Sequence, residues 1–141
     1  MKNMFRLTIL LALIQLGACS DDKDNGTDAQ TKMLTAEPWS HAVVTHSDGD
    51  LSDQYEDFVI VFTDNPSNGF DGTFIVSNGG YAFAETSGQW KFEGSKIILD
   101  SGKEMEFELT ENSLQLDFTV PPAGGKVAGI SGHFTFDLQP L

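Results

Sequence analysis

The sequence predicts an all-β protein of about eight antiparallel strands arranged up-and-down as a barrel, with a two-sheet β-sandwich as the alternative the same pattern allows. Three observations carry this. Beyond Leu34 apolar residues recur every second position, not every 3.6. Turn-forming clusters interrupt the apolar runs at hairpin spacing. No segment after residues 1–18 shows a confident helix.

The clearest alternation is Glu104 to Thr110, where Glu104, Glu106 and Glu108 interleave with Met105, Phe107 and Leu109. Leu114, Leu116, Phe118 and Val120 repeat it, as do Phe134, Phe136 and Leu138. Each reads as a strand with one dry and one wet face. Shorter strands are predicted at 40–46, 58–63, 70–77, 89–93 and 96–100. The 58–62 run is apolar on both faces, as a central or covered strand would be. Turns are expected at Asp64–Gly69, Asn78-Gly79-Gly80, Glu93-Gly94-Ser95, Ser101-Gly102 and Glu111-Asn112. Pro121-Pro122-Ala123-Gly124-Gly125 opens the longest late loop, and Leu51, Tyr55 and Phe58 have the spacing of a helical turn or two within 50–57. The strands share about 108 residues, 34–141, enough for one domain.

Upstream the chain is organised differently. Lys2 and Arg6 precede an apolar run from Leu7 to Leu16, too short to span a bilayer, which takes roughly 20 residues. This is the shape of a secretory signal peptide over residues 1–18. Leu16-Gly17-Ala18-Cys19 resembles the bacterial lipobox, in which the cysteine is acylated and becomes the first residue of the mature chain. The alternative is an ordinary signal peptide followed by an incidental cysteine. Each buried acyl CH₂ contributes about 0.8 kcal/mol, so two or three chains anchor durably where one does not. Ser20-Asp21-Asp22-Lys23-Asp24 resembles the acidic export signal of Bacteroidetes surface lipoproteins, which implies the outer face of the outer membrane; otherwise these acids simply solubilise a linker. Residues 19–33 read as the lipidated terminus and a flexible acidic tether, with a reach of about 20 Å as a coil.

Charge narrows the partners. Without residues 1–18 the chain carries six Lys and Arg against 21 Asp and Glu, a net charge of −15. Nucleic acid needs clustered cations and is excluded on that ground. Nine carboxylates and no Lys or Arg lie between Leu34 and Trp90; the basic residues Lys91, Lys96, Lys103 and Lys126 all come later. This is either a solvated acidic surface, a weak cation site or the complement of a basic partner. The lone cysteine leaves no disulfide, so the core alone must hold the domain; ten of the eleven Phe and both Trp lie within 34–141 to supply it.

With its strands placed, the chain is similar to the lipocalin-like lipoproteins of Bacteroidetes. The resemblance rests on Leu34-Thr35-Ala36-Glu37-Pro38-Trp39 opening the first strand, Ser87-Gly88-Gln89-Trp90-Lys91-Phe92 in mid-chain and Ile130-Ser131-Gly132-His133-Phe134-Thr135-Phe136 near the end. Glu37 stands where lipocalins have Gly, and no helix is read after the last strand, so the resemblance implies the barrel more than transport of a small ligand.

Candidate chemistry is sparse. His41, His46 and His133 lack metal-ligand spacing, although pairing of the first and last strands would bring His41 toward His133. Asp48-Gly49-Asp50 starts like a calcium loop, but the sixth and twelfth positions are Asp53 and Val59, not Gly and Glu. Looser calcium binding by Asp48, Asp50, Asp53, Glu56 and Asp57 is the remaining cation reading. No GxSxG elbow or phosphate-cradling loop is present, and Glu104, Glu106 and Glu108 belong on a solvated face rather than in a glycosidase pair. No catalytic, cofactor or metal residue is therefore assigned. Trp39, Phe62, Phe74, Trp90, Phe92, Phe107 and Phe118 are the candidates for lining a ligand cavity, or else they simply fill the barrel. The expectation is a non-enzymatic binding or interaction module, anchored to the membrane through lipid on Cys19. Its ligand would be a hydrophobic small molecule, a glycan or a surface protein. The competing expectation is an envelope-associated structural lipoprotein with a solid core.

Overall fold

A computed structural model describes residues 25–122 and 130–141. The segment read as a signal peptide, Cys19, the acidic run after it and most of the predicted late loop (123–129) lie outside the described residues. Nine strands form: β1 Trp39–His46, β2 Gly49–Asp50, β3 Val59–Ser67, β4 Phe70–Ser77, β5 Ser87–Glu93, β6 Lys96–Leu99, β7 Glu104–Leu109, β8 Leu114–Val120 and β9 Gly132–Pro140. From β3 to β9 every strand pairs antiparallel with the next, and β9 returns to β1 from Trp39↔Pro140 to His46↔Phe134. The sheet is thus one eight-stranded up-and-down barrel of the lipocalin-like kind, with β2 as an extra strand on β1. The two-sheet sandwich is ruled out, because a single sheet closes on itself and covers its own edges.

The closure is uneven. β1 meets β3 at one pair, Trp39↔Ile60. A bulge between Ser40 and Val43, with His41 at φ 52°, then turns β1 away. The chain covers the resulting edge itself: the Val44 N–H donates to Ser52 Oγ at 3.0 Å, and the Leu51 N–H donates to Val44 O at 2.8 Å. A 3₁₀ turn at Ser52–Gln54, within the predicted helical spacing, holds these groups in place and directs Tyr55 and Phe58 into the core.

Two sequence expectations are corrected. Residues 25–34 form helix α1 (Asn25–Leu34) rather than flexible tether, so β1 opens at Trp39 and Leu34 ends a helix. Asp28 in its first turn and Lys32 in its last suit the helix dipole. The decisive contribution is tertiary: Leu34 is fully buried, and the Trp39 indole N–H donates to Leu34 O at 2.9 Å. Second, β3 continues through Asp64–Ser67, where a turn was expected. The turn is Asn68-Gly69 alone, at φ 54° and 82°, the two-residue geometry that Asn-Gly favours. A bulge between Asp64 and Ser67 accommodates Pro66, which has no N–H to give a ladder.

The barrel has two different ends. At the helix end, the β3–β4, β5–β6 and β7–β8 hairpins turn and β1 begins. There α1 contacts β3 and β7, which stand on opposite sides of the ring, so the helix lies across the mouth. The other end is closed by the β4–β5 loop, whose Ala82 and Phe83 are buried in the core although no strand holds them.

Candidate functional site

The interior is filled by the residues expected to line it. Trp39, Phe62, Phe74, Trp90 and Phe118 are buried, and Phe92 and Phe107 pack against them. Phe62–Trp90, Trp90–Phe92 and Phe92–Phe107 form a chain of ring contacts with centroids 5.7, 5.1 and 5.1 Å apart. The Trp90 indole N–H donates to Thr63 O at 3.3 Å, which Gly72 makes possible: a Cβ there would collide with both groups. A second cluster packs Phe83 against Phe58, Phe118 and Phe136 at 5.1–5.5 Å. Such contacts suit edge-on and offset rings.

A concavity of the described surface lies instead outside this core, at the end away from α1. It measures about 740 Å³ and is walled by the β4–β5 loop at Tyr81 and Glu85, the β6–β7 turn at Lys103, Glu106 on β7, and Asp117 and Phe118 on β8. Of the seven candidate lining aromatics, Phe118 borders it.

Lys103 organises this site. It has the inward parity of Met105, so its chain runs under the barrel rim and its ammonium sits over the rings of Phe83 and Phe118, 4.5 and 5.0 Å from their centroids. Nζ donates to Ala82 O at 2.6 Å and lies 3.2 Å from Glu85 Oε2. Ser101 Oγ donates to Glu85 Oε1 at 2.6 Å. Burial pushes the Lys103 ammonium down from the usual lysine range, and Glu85 opposes it; the Ala82 carbonyl and the two ring faces further favour the cation. Burial alone would raise Glu85, but the Ser101 hydroxyl, the residue's own backbone N–H and Lys103 together hold its carboxyl below the usual range. Lys103 and Glu85 therefore fasten the β4–β5 loop over the barrel. Tyr55 supports the loop from below: burial raises its phenol, partly offset by backbone hydrogen bonds from Ala82 and Tyr81. Gly79 lets the loop fold back, since a Cβ there would lie 2.6 Å from that of Phe83.

The outer wall is more exposed. Lys96 Nζ donates to Glu104 Oε2 at 2.7 Å, raising the lysine and lowering the carboxyl. His133 Nε2 lies 3.5 Å from Asp117 Oδ1, which also accepts from the Thr135 hydroxyl. Glu104, Glu106 and Glu108 face solvent, as their alternation requires.

The other residues singled out in the sequence are dispersed. Strand register places His46, not His41, beside the start of β9 (His46↔Phe134), while His41 sits in the bulge near the opposite end of β1. His46 is buried; its Nδ1 accepts the Asp48 N–H at 3.1 Å, so Nε2 carries the proton and donates to Ser131 O at 3.1 Å. Asp50 accepts from the Ser52 N–H and hydroxyl at 2.9 and 2.6 Å, which lowers its carboxyl and closes the turn beneath β1. Asp53 and Glu56 border a shallow depression with His41, and Asp57 O accepts from Asn78 Nδ2 at 2.8 Å. The acids of 48–57 thus serve separate local contacts, and among the described residues no three His, Cys, Asp or Glu side chains gather as a metal site.

Comparison with protein-family models, curated proteins and solved structures returned no match to this chain. What the site does must be argued from its own geometry.

Proposed function

We propose that this protein is a lipid-anchored lipoprotein of the outer cell surface whose barrel is a non-enzymatic binding module, working through the cleft beside Lys103 rather than through the barrel interior. The observation that carries the binding role is the position of the 740 Å³ concavity. The chain enters the barrel at the helix end, and the cleft opens at the other. A domain tethered through Cys19 would present such a cleft away from the membrane, where a partner meets it. The anchoring half rests on Leu16-Gly17-Ala18-Cys19 and the acidic run behind it.

The test has two arms in the native host. Cells are fed an alkyne fatty acid, and the protein is expected to take up label at Cys19, to lose it in Cys19→Ala, and to be cut by protease added to intact cells. An unlabelled protein, or one protected from protease until cells are broken, would refute the anchored surface role. The packed interior supports a second reading for that region, a structural barrel with no small-molecule ligand. Saturable, displaceable quenching of Trp39 and Trp90 by a hydrophobic probe would overturn it.

A further inference from the structure

The cleft exists because two neighbouring strands separate. The β7–β8 ladder runs from Leu109↔Leu114 to Glu106↔Asp117 and stops, yet both strands continue. β7 reaches back to Glu104, held there by Ile98 on β6, and β8 runs on to Val120, held by Gly132 on β9. Their facing edges therefore diverge over two residue positions. Alternation fixes what those edges present. The Thr110 N–H donates to Ser113 O at 2.9 Å at the hairpin, whereas the Phe107 N–H donates to Ser95 O on the β6 side. In an antiparallel ladder this turns the backbone groups of Glu108, Glu106 and Glu104 toward β8, and those of Gln115, Asp117 and Thr119 toward β7. Glu104 and Thr119 so direct N–H and C=O groups into the split, where they are not ladder partners. Both line the cleft.

We propose that the cleft takes an extended peptide segment carrying Lys or Arg, which adds as a short strand between the diverging ends of β7 and β8. The proposal rests on the binding reading above and names the partner class for it. Unpaired strand edges are templates for an added strand, with backbone hydrogen bonds giving affinity and side-chain contacts giving selectivity. Charge selects the occupant. Glu106 and Asp117 stand directly opposite each other at the apex of the split, a like-charge pair that destabilises a sheet. Glu104 and Glu85 already have lysine partners and Asp117 has His133, but Glu106 has no ion pair among the described residues. An incoming cation satisfies Glu106 and relieves its repulsion with Asp117. Tyr81, 62% exposed at the rim, offers a ring face to the same cation.

The experiment titrates the full chain in detergent with three fluorescent heptapeptides of alternating Lys and Val: the parent, the same peptide N-methylated at alternate residues, and one with Glu in place of Lys. The parent is expected to bind saturably at low salt. N-methylation, which keeps the charge and removes donors from one edge, should weaken it by about tenfold or more, and the Glu peptide likewise. Amide hydrogen exchange at Glu104 and Thr119 should slow on saturation. Glu106→Gln should weaken the parent peptide, and Thr119→Pro, which removes an N–H from the split and takes no backbone hydrogen bond from β9, should do the same. Equal binding of the N-methylated peptide would overturn strand addition in favour of surface charge attraction. No binding of the parent by a chain that is lipidated and protease-accessible on cells would overturn this inference alone; loss of surface display would strike the reading beneath it.

Discussion

At the helix end the barrel is closed by hydrocarbon and one buried hydrogen bond: Leu34 fills the mouth and Trp39 ties its carbonyl down. At the cleft end it is closed by a loop whose buried side chains, Ala82 and Phe83, are fastened from outside by an ion pair, a hydroxyl and two ring faces. Hydrocarbon burial has no dependence on protonation and little geometric tolerance for change. A charged clamp depends on pH and on both partners being present. The difference makes the cleft end the one whose closure can be loosened without dismantling the core, which suits the end proposed to meet a partner.

The largest expected effects compare the two regions by the same substitution. Phe136→Ala removes a fully buried ring from a central strand that touches Tyr55, Phe58, Phe83 and Phe118, and should cost about 3–5 kcal/mol. Phe83→Ala removes a nearly equally buried ring from a loop bordering the cleft, where collapse and water can relieve the cavity, so its cost should fall below that of Phe136→Ala. Urea unfolding measures both, and equal losses would show that the two closures are equally rigid. At the helix end Leu34→Ala should cost roughly 2–4 kcal/mol and detach α1. Far-UV circular dichroism should then lose helical signal while the strand signal persists.

The clamp itself comes next. Lys103→Met keeps the apolar stem over Phe83 and Phe118 but strips the charge from beside Glu85, whose buried Oε2 has no hydrogen-bond donor among the described residues and is balanced by the Lys103 charge at 3.2 Å. The expected loss is roughly 1–3 kcal/mol, seen as a lower urea midpoint and faster amide exchange at Phe83, whose N–H donates to Gly79 O. Acid probes the same contact with a definite sign. The folded carboxyl of Glu85 lies below its ordinary value of 4.5. Its stabilising contribution is therefore complete above about pH 4.5 and disappears as pH falls through the lower folded value. The Tm gap between the native protein and Glu85→Gln should be widest at pH 7 and close on the acid side of 4.5. A gap constant down to pH 3 would mean that the carboxylate charge contributes nothing to the clamp.

How much of this was legible in the sequence follows from which forces act locally. β7, β8 and β9 were readable because their apolar residues alternate without interruption, and the barrel faces they predict are the faces observed. α1 was not: Asn25-Gly26 reads as a break, and its apolar content is concentrated at Met33 and Leu34, so the helix depends on a burial partner, Trp39, that propensity cannot see. The extension of β3 was hidden by the polar Asp64–Ser67, although the Asn68-Gly69 pair that turns the chain was present within the cluster. The site was hidden for a third reason. Glu85 and Lys103 are distant in sequence and meet only because β5 and β6 return the chain to the same end. One local signal pointed to it: Tyr81-Ala82-Phe83-Ala84 is an apolar run inside a loop, and apolar loop residues need somewhere to bury.

The smallest effect sharpens the comparison most, because it uses the same pair of residue types within the same cleft. Lys96 and Glu104 are closer than Lys103 and Glu85, 2.7 Å against 3.2 Å, so distance alone would rank the outer pair as the stronger. Solvent reverses that order. The outer side chains are 38% and 55% exposed, against 14% and 19% for the inner pair. Water and salt screen the outer charges, and either residue left alone by substitution is simply hydrated. Lys96→Ala should therefore leave Tm unchanged at physiological ionic strength, and added salt should not separate it from the native protein. Lys103→Met should lower Tm in the same buffer. If the two substitutions lowered Tm equally, desolvation would not be what distinguishes the clamp from the wall, and the chemical contrast between the two ends of the barrel would have to be drawn from packing alone.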